Sequence, residues 1–252
     1  MCMAADSNSI EQEDVRGDPG SPVADSVAVT LPKAGHDEDE NEDAFVVRDE
    51  TFPVRAAVAD GATEAVYSGV WADLLTRQIA ALDDWSGTGW DDAVHAARSE
   101  WQTVVDAEPV DVPWYVAEKR EQGAFATVLG LVIRGDGTFE ARWVGDCVLI
   151  QQSKGSKQSW PVDDPEAFTH RPALLSSRSE AGTITAQTTE GTWDQEDVFL
   201  LATDAVAAWL LRETPELAHD ADALREQLRT ARQEGHLRND DCTIIRITMA
   251  AG

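Results

Sequence analysis

Basic side chains are scarce in this sequence. Lysine occurs only at Lys33, Lys119, Lys154 and Lys157, and 20 Lys and Arg face 47 Asp and Glu for a net charge of −27. With no run of Lys or Arg to displace counterions from a phosphate backbone, no nucleic-acid partner is expected, and an anionic membrane surface is disfavoured on the same ground. Cysteine is almost missing too. Cys2, Cys147 and Cys242 are an odd number without a CxxC pair, which leaves neither a disulfide framework nor a zinc ribbon and points to a reducing compartment. Nor is there a basic, apolar leader or any stretch approaching about 18 consecutive apolar residues, so a soluble, cytoplasmic protein is expected.

What is present is acid, and it is dispersed. Asp83, Asp84, Asp91, Asp92, Asp163, Asp164, Asp220 and Asp222 lie far apart in a chain of 252 residues, so the charge is not confined to a tail. Hydrated carboxylates spread in this way suit a halophilic protein that must stay soluble in a salt-rich cytoplasm. Hydrophobic residues at 42% and nine Trp supply a core. Residues 1–25 contain little to bury and read as a disordered acidic leader; residues 26–252 carry no repeat or linker and read as a single domain.

Short β-branched segments at Ser26–Leu31, Ala44–Arg48 and Val54–Asp60 predict strands. Glu64–Leu82 follows with Val66, Val70 and Leu74 at helical spacing, and Trp90–Ala107 repeats the pattern after the break Ser86-Gly87-Thr88-Gly89. Ala124–Ile133, Thr138–Val144 and Cys147–Gln152 predict an antiparallel meander. Gln152–Ser179 is polar and reads as a long excursion; Thr183–Thr188 and Val198–Thr203 return to strand, and helices Ala205–Leu211 and Ala221–Glu234 precede a last strand Cys242–Thr248. Strands, helices, strands, helices, strand is not βαβ alternation and suits an α+β fold.

Acids stand at several strand ends: Glu42-Asp43, Asp60-Gly61, Asp204 and Asp240. Carboxylates gathered at one sheet edge repel unless hard cations neutralise them. By periodicity alone, chance placement in so acidic a chain accounts for the pattern equally well.

The residues Asn41-Glu42-Asp43-Ala44-Phe45, Val58-Ala59-Asp60-Gly61, Gly123-Ala124-Phe125-Ala126-Thr127, Val144-Gly145-Asp146-Cys147, Leu200-Leu201-Ala202-Thr203-Asp204 and Asp240-Asp241-Cys242-Thr243 resemble, in order, the motifs of the metal-dependent protein phosphatase 2C family. The resemblance implies a four-layer α-β-β-α sandwich, two antiparallel sheets flanked by helices. It also implies hydrolysis of phosphoserine and phosphothreonine in a phosphoprotein substrate, by hydroxide activated on two Mn²⁺ or Mg²⁺ ions. Carried over residue by residue, Asp60 bridges the ions and the Gly61 carbonyl completes one shell. Asp204 and Asp240 are direct ligands, Glu42 and Asp43 hold water, and Asp146 with Asp204 matches the site of a third, weaker ion.

The chain also departs from the family pattern. Glu38 stands where the family often has an Arg that clamps the phosphate, which leaves Lys33 or Arg55 as substitutes. Ala62-Thr63-Glu64 replaces the continuation that carries a His acid, leaving water or Glu64 to protonate the leaving oxygen. Ala205 replaces a usual Gly, and Cys147 a usual Ser. A catalytically weak regulatory or binding protein on the same fold is the alternative reading. Cys147, Cys242, Trp71, Trp101, Trp143 and Trp209 read as core residues.

Overall fold

In a computed structural model, the structure describes residues 22–62, 67–107, 114–168, 171–179 and 184–251. The β-branched runs pair into two antiparallel sheets. One has the order β1 (Pro22–Leu31), β11 (Cys242–Ala251), β10 (Val198–Ala202), β6 (Val148–Ser153) and β7 (Ser156–Trp160). The other has the order β2 (Asp43–Arg48), β3 (Val54–Gly61), β4 (Phe125–Ile133), β5 (Thr138–Val144) and β9 (Gln187–Thr192), with the short β8 (Leu175–Ser176) paired to β4.

Period-two alternation divides each strand between two cores. Val54, Ala56 and Val58 of β3 pack between the sheets with Leu129, Leu131, Phe199, Leu201, Ile245 and Ile247. Ala57 and Ala59 point the other way, onto Trp71, Leu75 and Ile79 of α1 (Ser68–Ala80) and Trp90, Ala97 and Trp101 of α2 (Gly87–Ala107). On the far side, Val206, Trp209 and Leu210 of α4 (Asp204–Glu213) and Leu224 and Leu228 of α5 (Ala221–Gln233) cover Val29, Val148, Leu200 and Ile244. The layers are therefore helices, sheet, sheet, helices, as the resemblance implied. Both cysteines within the described residues are buried, as are the four tryptophans expected in the core. Among the described residues no helix is long and apolar enough to cross a membrane.

Several boundaries differ from the sequence reading. Strand β1 begins at Pro22, because every residue from Pro22 to Leu31 finds a partner on β11, so Pro22–Asp25 belong to the sheet and not to a leader. The rest of that expected leader, residues 1–21, lies outside the described residues. Helix α2 starts at Gly87, earlier than expected: the Ser86 carbonyl accepts from Trp90 N at 3.0 Å and its hydroxyl from Gly89 N at 3.3 Å, so the expected break serves as a helix start. The polar excursion contains a hairpin, β6 to β7, whose exposed edge strand has no apolar face to read. Strand β9 sits at Gln187–Thr192, about four residues later than expected, and α3 (Trp114–Gln122) was not anticipated.

Candidate metal centre

Strands β2, β3 and β4 bring one row of polar side chains to the same end of the sandwich. Phe45 and Val47, Ala56 and Val58, and Leu129 and Leu131 line the space between the sheets. Continuing the alternation puts Asp43, Asp60 and Thr127 on that inner face, in register: Asp43 pairs with Asp60, and Asp60 with Thr127. On the facing sheet Thr203 and Thr243 continue the inward rows of Leu201 and Ile245. The Thr203 hydroxyl donates to Asp43 Oδ2 at 2.9 Å and accepts from Thr243 N at 3.0 Å, which ties the two sheets together behind the carboxylates.

Three turns add the other acids. Asp204 is the first residue of α4, where the positive end of the helix dipole favours a carboxylate. Gly145 turns the chain from β5 toward β6 with φ +98°, and a Cβ there would stand 2.4 Å from Thr127 Cγ2. Only glycine fits, and the turn delivers Asp146 to the cleft and Cys147 to the core. Asp240 precedes β11. The result is a cleft of about 490 Å³ lined by Asp60, Gly61, Ala62, Thr127, Asp146, Pro172, Leu174, Asp204, Arg238 and Asp240.

Burial, and then the charges of Asp43, Asp204, Asp146 and Asp240, hold the Asp60 carboxyl well above the usual carboxylate range. Burial also raises Asp43, against the hydroxyls of Thr243 and Thr203, with Asp241 and Asp204 adding repulsion. Asp146 is pushed up to about 6 by burial and then by Asp204. These are the marks of carboxylates brought together without enough positive charge. Asp43 Oδ1 is buried with no hydrogen-bond partner. An all-oxygen set with an orphaned carboxylate oxygen fits hard divalent cations.

The arrangement is not drawn tight. Among the described residues no three acidic, histidine or cysteine side chains gather closely enough to hold a metal ion as they stand. Arg238 stands between two of these acids: its Nη2 donates to Asp204 Oδ2 at 2.6 Å and to Asp240 Oδ2 at 2.9 Å.

Of the residues singled out in the sequence, Asp60, Gly61, Asp146, Asp204 and Asp240 line the cleft. Glu42 and Asp43 stand behind it. The Glu42 carbonyl accepts from Gly61 N at 3.2 Å and its Oε1 accepts from the Ser68 hydroxyl. The two expected phosphate clamps are elsewhere. Arg55 lies five residues back along β3 from Asp60, roughly 17 Å away, and pairs with Asp83 at 2.7 Å. The strand expected over Val54–Asp60 already sets it at the opposite end from Asp60. Lys33 lines a neighbouring groove with Arg225, Arg229 and Arg232 and reaches the centre only through its main-chain N, which donates to Asp241 Oδ1 at 2.8 Å. Glu64 and Thr63 fall outside the described residues.

Arg238 and Asp241 were missed. Asp241 holds the approach to the first motif, accepting from Lys33 N and, through Oδ2, from Glu42 N at 3.0 Å. A signal for Arg238 was present: it stands two residues before Asp240 in a chain poor in bases, and a tight turn in which Asp240 N donates to the Arg238 carbonyl at 3.0 Å keeps the two together.

Comparison with known proteins agrees with the fold. The catalytic domain of the serine/threonine protein phosphatase PstP, solved in complex with two manganese ions, is similar with a TM-score of 0.64 and 18% identity, over 91% of this chain and 99% of that one. The Mycobacterium tuberculosis phosphatase PstP/Ppp gives a TM-score of 0.66 at 17% identity, covering 90% and 98%. Staphylococcus aureus Stp1 gives 0.63 at 13%, covering 93% and 98%. No curated protein matches the sequence. The protein phosphatase 2C profile matches residues 33–240, a span that takes in all of the cleft's acids, and the chain belongs to the protein phosphatase 2C family.

Proposed function

We propose that the protein is a divalent-metal-dependent phosphatase that removes phosphate from phosphoserine and phosphothreonine in proteins. The observation that supports it is the convergence of Asp60, Asp146, Asp204 and Asp240 on one cleft, with burial and then mutual repulsion raising the carboxyls of Asp60 and Asp146. Such a set is costly to fold unless cations share it. In this reading Asp60, the Gly61 carbonyl, Asp204 and Asp240 would hold two Mn²⁺ or Mg²⁺ ions, and Asp146 with Asp204 would hold a third.

Ions held there supply Lewis acidity to water near neutral pH and positive charge beside the phosphoryl oxygens. The chain's own residues orient and hold. Thr203 fixes Asp43, leaving Asp43 Oδ1 free to accept from water behind Asp60. The α4 N-terminus sets Asp204. Neither Cys147 nor Cys242 is a nucleophile: both are buried, and burial pushes the Cys147 thiol well up and that of Cys242 up to about 12. No histidine lines the cleft among the described residues, which leaves water or Glu64 to protonate the leaving oxygen. A regulator without catalysis would have no need of four acids in one cleft.

The test is phosphate release from a phosphothreonine peptide by the full chain. Release with Mn²⁺, abolished by chelator and by Asp60→Asn, is expected. Full turnover in excess chelator, with metal loss confirmed, contradicts the reading.

A further inference from the structure

We propose that Arg238 changes partners: without divalent ions its guanidinium neutralises Asp204 and Asp240, and once ions occupy those carboxylates it turns to the phosphoryl group of the substrate. The inference rests on the phosphatase reading of the cleft and adds a phosphate clamp in place of Lys33 and Arg55.

Arg238 is the only basic side chain lining the cleft among the described residues. The other candidates are committed or remote: Glu38 carries the wrong charge, Arg55 is tied to Asp83, and Lys33 lines the adjoining groove. Arg232, near the centre, spends its fork on the carbonyls of Pro32 and Asp240 at 2.7 and 2.8 Å.

The Arg238 pairs are of a kind that gives way. Its side chain is 53% exposed, against 17% for Asp204 and 40% for Asp240, and ion pairs this wet are weak. A divalent ion on the same oxygens brings twice the charge at shorter range. Arg238 lies in the loop between α5 and β11, outside any helix or strand, so the side chain can swing without disturbing the sheets. Only Nη2 contacts the acids, while a guanidinium offers five N–H donors in a planar fork that matches two phosphate oxygens.

The exchange makes two separable demands. Removing the guanidinium should help metal binding, because nothing has to be displaced, and should harm phosphate binding. Titration calorimetry of the full chain tests both, with Mn²⁺ alone and then with inorganic phosphate on the Mn²⁺-loaded protein. Arg238→Ala is expected to bind Mn²⁺ roughly three- to tenfold more tightly than wild type and phosphate at least about tenfold more weakly. Arg238→Lys keeps the charge without the fork, so it should leave Mn²⁺ affinity near that of wild type and restore only part of the phosphate affinity. On a phosphopeptide the loss in Arg238→Ala should fall on KM more than on kcat.

Mn²⁺ affinity in Arg238→Ala that is equal to or weaker than wild type overturns the exchange, and so does unchanged phosphate affinity. Neither binding measurement needs turnover. A wild-type protein that binds Mn²⁺ and phosphate but cleaves no phosphopeptide would overturn the phosphatase reading and not these two results.

Discussion

Replacing Asp146 with Asn isolates the electrostatic cost of the metal-free cleft. The Asp146 carboxyl titrates near 3.9 in an unfolded chain and is pushed up to about 6 in the native protein by burial and by Asp204. The native state therefore binds the proton more tightly. Below about pH 3.9 both states are protonated and the native state bears no cost; as pH rises through about 6 the native carboxyl must ionise where the unfolded one already has, and stability is lost. A gap of roughly two pH units is worth about 3 kcal/mol at neutral pH, an upper figure because neighbouring acids titrate together. Asn does not ionise, so the variant escapes this loss.

In chelator and about 1 M KCl, which screens the rest of the surface, Asp146→Asn should match wild type near pH 4 and exceed it by up to about 3 kcal/mol by pH 7.5. For a chain of this size that corresponds to roughly 6–12 °C in Tm. Urea unfolding across the range reads the gap directly. Added Mn²⁺ should narrow it, because the wild-type carboxylate then has a cation to share. A gap that does not change with pH, or a variant less stable than wild type at pH 7.5, would refute the reasoning.

With a net charge of −27, the melting temperature should climb with KCl as the Debye length shrinks from about 30 Å at 0.01 M to about 3 Å at 1 M; a flat or falling trend would mark an ordinary acidic protein and not a salt-adapted one. Gly61→Ala would place a Cβ 2.8 Å from the Glu42 carbonyl oxygen and 2.9 Å from the Ser68 carbonyl carbon. Both are main-chain atoms, so a loss of about 1–3 kcal/mol in thermal melts and a drop in activity are expected, and wild-type stability would show that the α1 approach is slack. Asp241→Ala strips the acceptors from Lys33 N and Glu42 N and should cost about 2 kcal/mol, with faster amide exchange at both; unchanged exchange would remove Asp241 from its structural role.

The sandwich and most of the cleft were legible for a local reason. Strands that end in Asp60-Gly61, Gly145-Asp146 or Thr203-Asp204 turn where a short acidic or glycine-containing motif says they turn, and alternation then fixes the face on which Asp43 and Asp60 stand. Most of what failed depended on long-range contacts or on surfaces without an apolar signal; Arg55 is the exception, since the expected strand Val54–Asp60 already set it at the far end from Asp60. Arg55 is close to Asp60 in sequence, but an extended strand separates them; Arg238 is distant from Asp204 in sequence, and the loop before β11 brings them to 2.6 Å. The edge strand β7 is polar on its exposed face, and α3 has Trp114 78% exposed, so neither carries the periodicity that burial imprints on a sequence.

The central claim is that the acids of this cleft are ligands for catalytic divalent ions. Calorimetric titration of Mn²⁺ into the full chain, wild type against Asp60→Asn at fixed high salt, meets it most directly. At least two bound ions are expected in wild type, with loss of most of that binding when the Asp60 carboxylate becomes an amide. Equal stoichiometry and affinity in the two proteins would place the ions elsewhere and contradict it.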